Sequence, residues 1–140
     1  ANLGQDFLDK YARFEETLPL VVRGQGFVAS HAAPGGQLDK TAIERRDPKA
    51  FAQLAWTENR NWNEQDPQVQ SRFQKNLQEV GGEGGRWLVG HRPVEEGDFR
   101  SQFDGQLVQI NAPNDFIVAL VPPNGQFQPE RDIIRLERDV

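Results

Sequence analysis

The apolar positions of this chain follow two rhythms. In "GQDFLDKYARFEETL", residues 4–18, Phe7, Leu8, Tyr11, Phe14 and Leu18 recur at three- and four-residue spacing. That spacing predicts a helix whose apolar face packs against another apolar surface. Pro19 ends it. "LPLVVRGQGFVASH" then turns to short apolar runs, Leu20 to Val22 and Phe27 to Ser30, around a Gly24–Gly26 turn, and reads as a β-hairpin. Residues 39–56 read as helix in two pieces. Pro48 suits the first turn of the second piece, with Asp47 as its N-cap. After the polar loop "TENRNWNEQDP", a further helix is predicted from Pro67 to Val80, capped by Asp66 and burying Val69, Phe73, Leu77 and Val80. "GGEGG" stops that helix and admits the strand "RWLVGH".

The last third reads as β-rich. "FRSQF" alternates, "QLVQIN" follows an Asp104–Gly105 turn, and "FIVALV" has the continuous apolar character of a buried strand. Pro122, Pro123, Asn124 and Gly125 make a turn. "RDIIRLER" reads as a final strand, with a short helix as the alternative. At 140 residues, with no internal repeat, the chain is expected to form a single α/β (α+β) domain, 1–140, with a mixed sheet and packed helices.

Charge and composition narrow the chemistry. The net charge of -5 argues against a general nucleic-acid or membrane-surface binder. The absence of cysteine excludes disulfides, zinc–thiolate sites and thiol nucleophiles. No apolar run approaches the roughly 18 residues of a membrane span, and no signal-like start is visible, so a cytoplasmic protein without membrane contact is expected. The chain opens on Ala1 and contains no methionine, which suggests a piece of something longer.

The only two histidines, His31 and His91, each end an apparent strand and precede a loop containing proline, 60 residues apart. Strand ends that gather at one edge are where layered α/β domains build sites. A serine hydrolase is disfavoured. Ser30 adjoins His31, but neighbours on a strand point to opposite faces, and no G-x-S-x-G elbow exists. A paired-histidine phosphoesterase carries H-x-T or H-x-S twice, whereas here His31-Ala32-Ala33 and His91-Arg92-Pro93 lack the hydroxyls. Metal ligation by neutral imidazole remains, with carboxylates needed to complete the site. If both rings serve one ion through bonds of roughly 2.0–2.1 Å, they lie within about 5 Å of each other.

"GFVASHAAPGG" resembles the "F-V-H-G-G-x-x-P" segment of calcineurin-like metallophosphoesterases, in the branch of PPP-type phosphatases and symmetric diadenosine-tetraphosphate hydrolases. "WLVGHRPV" is similar to their "V-V-G-H-T-P-V". "DGQLVQINAPNDFIVALVPPNGQF" resembles their closing strands, and the order agrees across nearly the whole chain. The resemblance implies half of an αβ-sandwich built around a divalent metal pair (Mn, Fe or Zn) that hydrolyses phosphoesters or phosphoanhydrides. It implies that His31 and His91 are ligands of one ion, and that Arg60 and Arg92 contact substrate phosphate. The family's "D-x-H", "G-D-x-x-D-R-G" and "G-N-H-E" blocks do not occur here. The chain is therefore expected to be a C-terminal half, inactive alone and holding metal weakly or not at all. Its partners would be the missing N-terminal half and a phosphorylated substrate. A halved sandwich would leave an apolar sheet face, so self-association is expected too. The alternative is a non-catalytic module that uses the same half-fold to bind or dock a partner.

Overall fold

The computed structural model of the chain describes residues 4–81 and 85–136. The first helix, α1 (Gln5–Thr17), stops because Leu18 precedes Pro19 and is extended, with φ −67° and ψ 141°. Its apolar stripe forms but is not covered. Phe7, Leu8, Tyr11, Phe14 and Leu18 are each 44–56% exposed, and no residue of α1 is buried. The expected apolar partner is therefore absent among the described residues. Helical periodicity reports that a face is apolar, not what lies opposite it. What ties α1 down is Arg46, whose guanidinium donates to the carbonyls of Glu16 and Leu18 at the helix C-terminus.

The hairpin follows as β1 (Val22–Gly24) and β2 (Phe27–Ser30), paired antiparallel with Gly24 opposite Phe27. Leu20 and Val21 precede the first strand and pack against the core instead. Three helices come next: α2 (Lys40–Glu44), α3 (Pro48–Trp56) and α4 (Pro67–Glu79). The expected caps are in place. The Asp47 carboxylate accepts from Lys49 N and the Asp66 carboxylate from Gln68 N, both at 2.8 Å. Of the glycine-rich break after α4, residues 82–84 lie outside the described residues.

The strands that follow are β3 (Arg86–Pro93), β4 (Arg100–Gln102), β5 (Leu107–Asn111) and β6 (Phe116–Ala119). The chain then turns at Pro122–Gly125, where Gly125 N donates to Pro122 O at 2.9 Å. "RDIIRLER" is divided between helix and strand: α5 (Pro129–Asp132) leads directly into β7 (Ile133–Leu136).

A five-stranded mixed sheet in the order β1-β2-β3-β5-β4 makes this an α/β fold. β2, β3 and β5 are parallel; the two outer strands run antiparallel to their neighbours. Alternation divides the central strands between two cores. Val28, Trp87, Val89 and Leu107 point to one face and pack with Leu54, Phe73, Leu77 and Val80 of the helical layer. Leu88 and Val108, with Phe27, Ala29 and Ile110, point to the other and pack with Ile117, Phe127 and Ile133 of the β6–β7 region.

"FIVALV" thus departs from the expectation of a buried strand. It forms β6 of a separate two-stranded sheet with β7, and Phe116 and Leu120 are 57% and 55% exposed. A strand in a two-layer edge covers the core with one side only. This small sheet also covers the second face of the large one, so the open apolar surface is that of α1 rather than a sheet face. Its approach depends on two glycines with positive φ. Gly26 (φ 74°) and Gly125 (φ 69°) bring the hairpin turn and the Pro122–Gly125 turn so close that a Cβ on either would strike backbone.

Leu77→Ala should destabilise the domain by about 2–5 kcal/mol, because its side chain is fully buried between α4 and the sheet. Tyr11→Ala should cost no more than about 0.5 kcal/mol, being on an uncovered face. Urea denaturation of the two variants against the parent chain measures both.

Candidate functional site

β2 and β3 run parallel, with Ser30 opposite Val89 as the last paired residues. Both strands therefore release the chain at the same sheet edge. Gly90 N donates to His31 O at 3.0 Å, which holds the two exits together. β3 then bulges against β5: Val89 pairs with Gln109, but the next pair is Pro93 with Asn111. The bulge puts His91 at φ 30°, a sparsely populated conformation for any residue but glycine. Two side chains of β5 hold the displaced carbonyls. Asn111 Nδ2 donates to His91 O at 3.1 Å and Gln109 Nε2 to Arg92 O at 2.6 Å.

The result brings the two imidazoles together. His31 Nε2 faces His91 Nδ1 at 3.0 Å, with ring centroids 5.0 Å apart. Along that line one nitrogen donates and the other accepts, so the pair holds one proton there; protonating both would set N–H against N–H. The His31 pKa is lowered, first by burial and second by the charge His91 would carry. At neutral pH the His31 ring is therefore neutral.

Trp56, the last residue of α3, stands over both rings at 6.4 Å from His31 and 6.1 Å from His91, yet is 65% exposed. Its helix is fixed to the loop that follows His31. Ala32 N donates to Leu54 O and Gly36 N to Gln53 Oε1, each at 2.6 Å. Asn76, fully buried in α4, accepts from Leu38 N and donates to Gly36 O, both at 2.8 Å. Ser30 is a structural residue: its hydroxyl donates to Ala32 O at 2.7 Å and accepts from the Trp87 indole at 2.8 Å.

The two arginines named from sequence are brought together elsewhere. Arg92 is ion-paired with Glu58, and its Nε is buried without a hydrogen-bond partner among the described residues. Arg60 is exposed. Both line a cavity of about 510 Å³ with Arg100, Glu95, Glu96 and Phe99; neither histidine lines it. Asn59 and Gln109, both buried, close one side of it, with Asn59 Nδ2 donating to Gln109 Oε1 at 3.1 Å.

Sequence reasoning missed Trp56, Asn59, Asn76 and Gln109 as members of this edge. Asn76 left a signal: it is a polar residue on the stripe of Phe73, Leu77 and Val80. Gln109 left a similar one, a polar residue inside an apolar strand.

Could the edge hold a metal? Two ligands on one ion at roughly 2.0–2.1 Å stand about 2.8–3.4 Å apart in octahedral to tetrahedral shells. The 3.0 Å between the facing nitrogens fits two corners of one ion. Among the described residues no group of three or more histidine or acidic side chains gathers, so this chain fits part of one shell rather than a pair of ions. No described helix is long and apolar enough to cross a membrane. Comparison with protein-family models, curated proteins and solved structures gave no match for this chain.

The lowered His31 pKa fixes the sign of one pH effect. The unfolded chain takes up the proton first, near the ordinary value of about 6.5. The stability this group contributes is thus complete above that value and lost as pH falls through the lower folded pKa. Urea midpoints from pH 8 to pH 5 should fall more for the parent chain than for His31→Gln. His91→Gln should move the His31 pKa upward, read from its ring proton by NMR, because one of the two causes is removed.

Proposed function

We propose that these residues are the C-terminal half of a calcineurin-like metallophosphoesterase domain, cytoplasmic in setting. In this reading His31 and His91 are ligands of one divalent cation (Mn, Fe or Zn) in a centre that hydrolyses phosphoesters or phosphoanhydrides. The supporting observation is the 3.0 Å approach of His31 Nε2 to His91 Nδ1 from two strands 60 residues apart in sequence. The approach occurs at the positions that the ordered resemblance marks. A divalent cation held there would supply Lewis acidity toward a phosphoryl oxygen.

This chain's own residues do the rest. The β3 bulge aims the His91 ring, Gly90 N fixes the His31 backbone, and the neutral state of His31 leaves a lone pair for a cation. Arg60 and Arg92 contact substrate phosphate from the adjoining cavity, which neither histidine lines. The acidic ligands come from outside these 140 residues, since none of the family's acidic blocks occurs in the sequence. The chain alone then binds metal weakly and does not turn over substrate.

The uncovered stripe of α1 favours a second reading, a non-catalytic docking module. A Zn²⁺ titration followed at the histidine ring protons separates the two. The metal-ligand reading expects both rings to respond with one saturation curve. His31→Ala or His91→Ala should then weaken binding at least about tenfold. Rings that respond to Zn²⁺ separately, each with its own curve, leave only the docking module. Incubation of the chain with an aryl phosphate and Mn²⁺ should give no hydrolysis above the buffer rate, and sustained turnover would overturn the half-centre reading.

A further inference from the structure

The arginines and the imidazoles occupy one sheet edge but separate places on it. The segment after Trp56 and the segment after His91 run side by side. Trp56 lies over His91, Glu58 pairs with Arg92, and Asn59 bonds to Gln109, which in turn holds Arg92 O. The cavity of about 510 Å³ opens where these two segments continue, and it is lined by Arg60, Arg92 and Arg100 but by neither histidine. A cavity of that size suits a small molecule.

Two observations point to an oxyanion as its occupant. The cavity gathers three guanidinium groups, whose planar forks match phosphate or carboxylate oxygens. Neither Arg60 nor Arg100 forms an ion pair among the described residues. Glu95 and Glu96 line the same cavity, where they suit hydroxyl or ammonium donors on the ligand's body, while Phe99 offers an apolar wall.

We propose that this cavity binds a second oxyanion of the substrate, away from the phosphate that reacts at the imidazoles. The substrate is then a small molecule with two anionic groups. The inference rests on the phosphoesterase reading for its reacting group, and on the cavity alone for the second one.

The test is NMR of the arginine Nε–H signals of the whole chain, without metal, during titration with inorganic phosphate. Arg60, Arg92 and Arg100 should shift along one saturation curve while the histidine ring protons stay still. Arg60→Gln and Arg100→Gln, both at exposed positions, should each weaken that curve about fivefold or more. Acetate in a parallel titration identifies the group. A tighter phosphate curve supports a second phosphate, and a tighter acetate curve supports a carboxylate. Non-saturating shifts scattered over surface arginines mean an adventitious ion only and overturn the proposal. So does phosphate that moves the imidazoles and leaves the arginines unmoved. Zn²⁺ added to a separate, phosphate-free sample reports on the imidazoles alone, so loss of the anion site and loss of the metal reading are told apart.

Discussion

The register of β2 on β3 is the constraint on which the edge depends. Ser30 opposite Val89 puts the next residue of each strand at the same rim. Parallel neighbours need a crossover of a dozen or more residues, and α2, α3 and α4 supply it. Those helices bury Leu54, Phe73 and Leu77 against Val28, Trp87 and Val89. A slip of one residue would turn Trp87 and Val89 to the β6–β7 side and Leu88 to the helices, exchanging both cores at once. Packing on two faces therefore fixes the register, and the register fixes the histidines. The burial of Trp87 and the 3.0 Å between two imidazoles are consequences of one alignment.

The register alone would still leave His91 in line with its strand. The bulge after Val89 turns it, at the expense of a backbone conformation that costs of order 1–3 kcal/mol. Asn111 and Gln109 offset part of that cost by donating to the two carbonyls that leave the ladder. Gln109 is itself held by Asn59, so the buried amides link the bulge to the loop after Trp56. A strained residue over-determined by two side chains is characteristic of a position where ring orientation matters.

Much of the fold was legible because its signals are local. Asp47 and Asp66 stand before prolines that open helices, and Asp104–Gly105 and Pro122–Gly125 stand between strands; each acts within a few residues. What α1 faces was not legible. Phe7, Tyr11 and Phe14 state an apolar face, but coverage is decided by residues distant in sequence, and none of the described ones supplies it. The fate of "FIVALV" was hidden for the same reason, since a continuous apolar run does not distinguish a central strand from one in a small covering sheet. At the site, His31 and His91 were legible through their rarity and their places at strand ends. Arg60 and Arg92 were legible as cations but not in their placement. The bulge that carries Arg92 toward Glu58 follows from pairing with β5, and nothing near "GHRP" announces it.

That placement bears on what the imidazoles can receive. A free guanidinium one residue from His91 would repel a cation by several kcal/mol at short range in a partly buried setting. Arg92 does not present one, because Glu58 neutralises it. His31 adds no charge either, since burial and its neighbour hold it neutral. Neither Arg92 nor His31 thus sets an uncompensated positive charge beside the rings, while the exposed guanidiniums of Arg60 and Arg100 share the adjoining cavity with Glu95 and Glu96. In the reading proposed above, this leaves the rings open to a cation and the cavity open to an oxyanion.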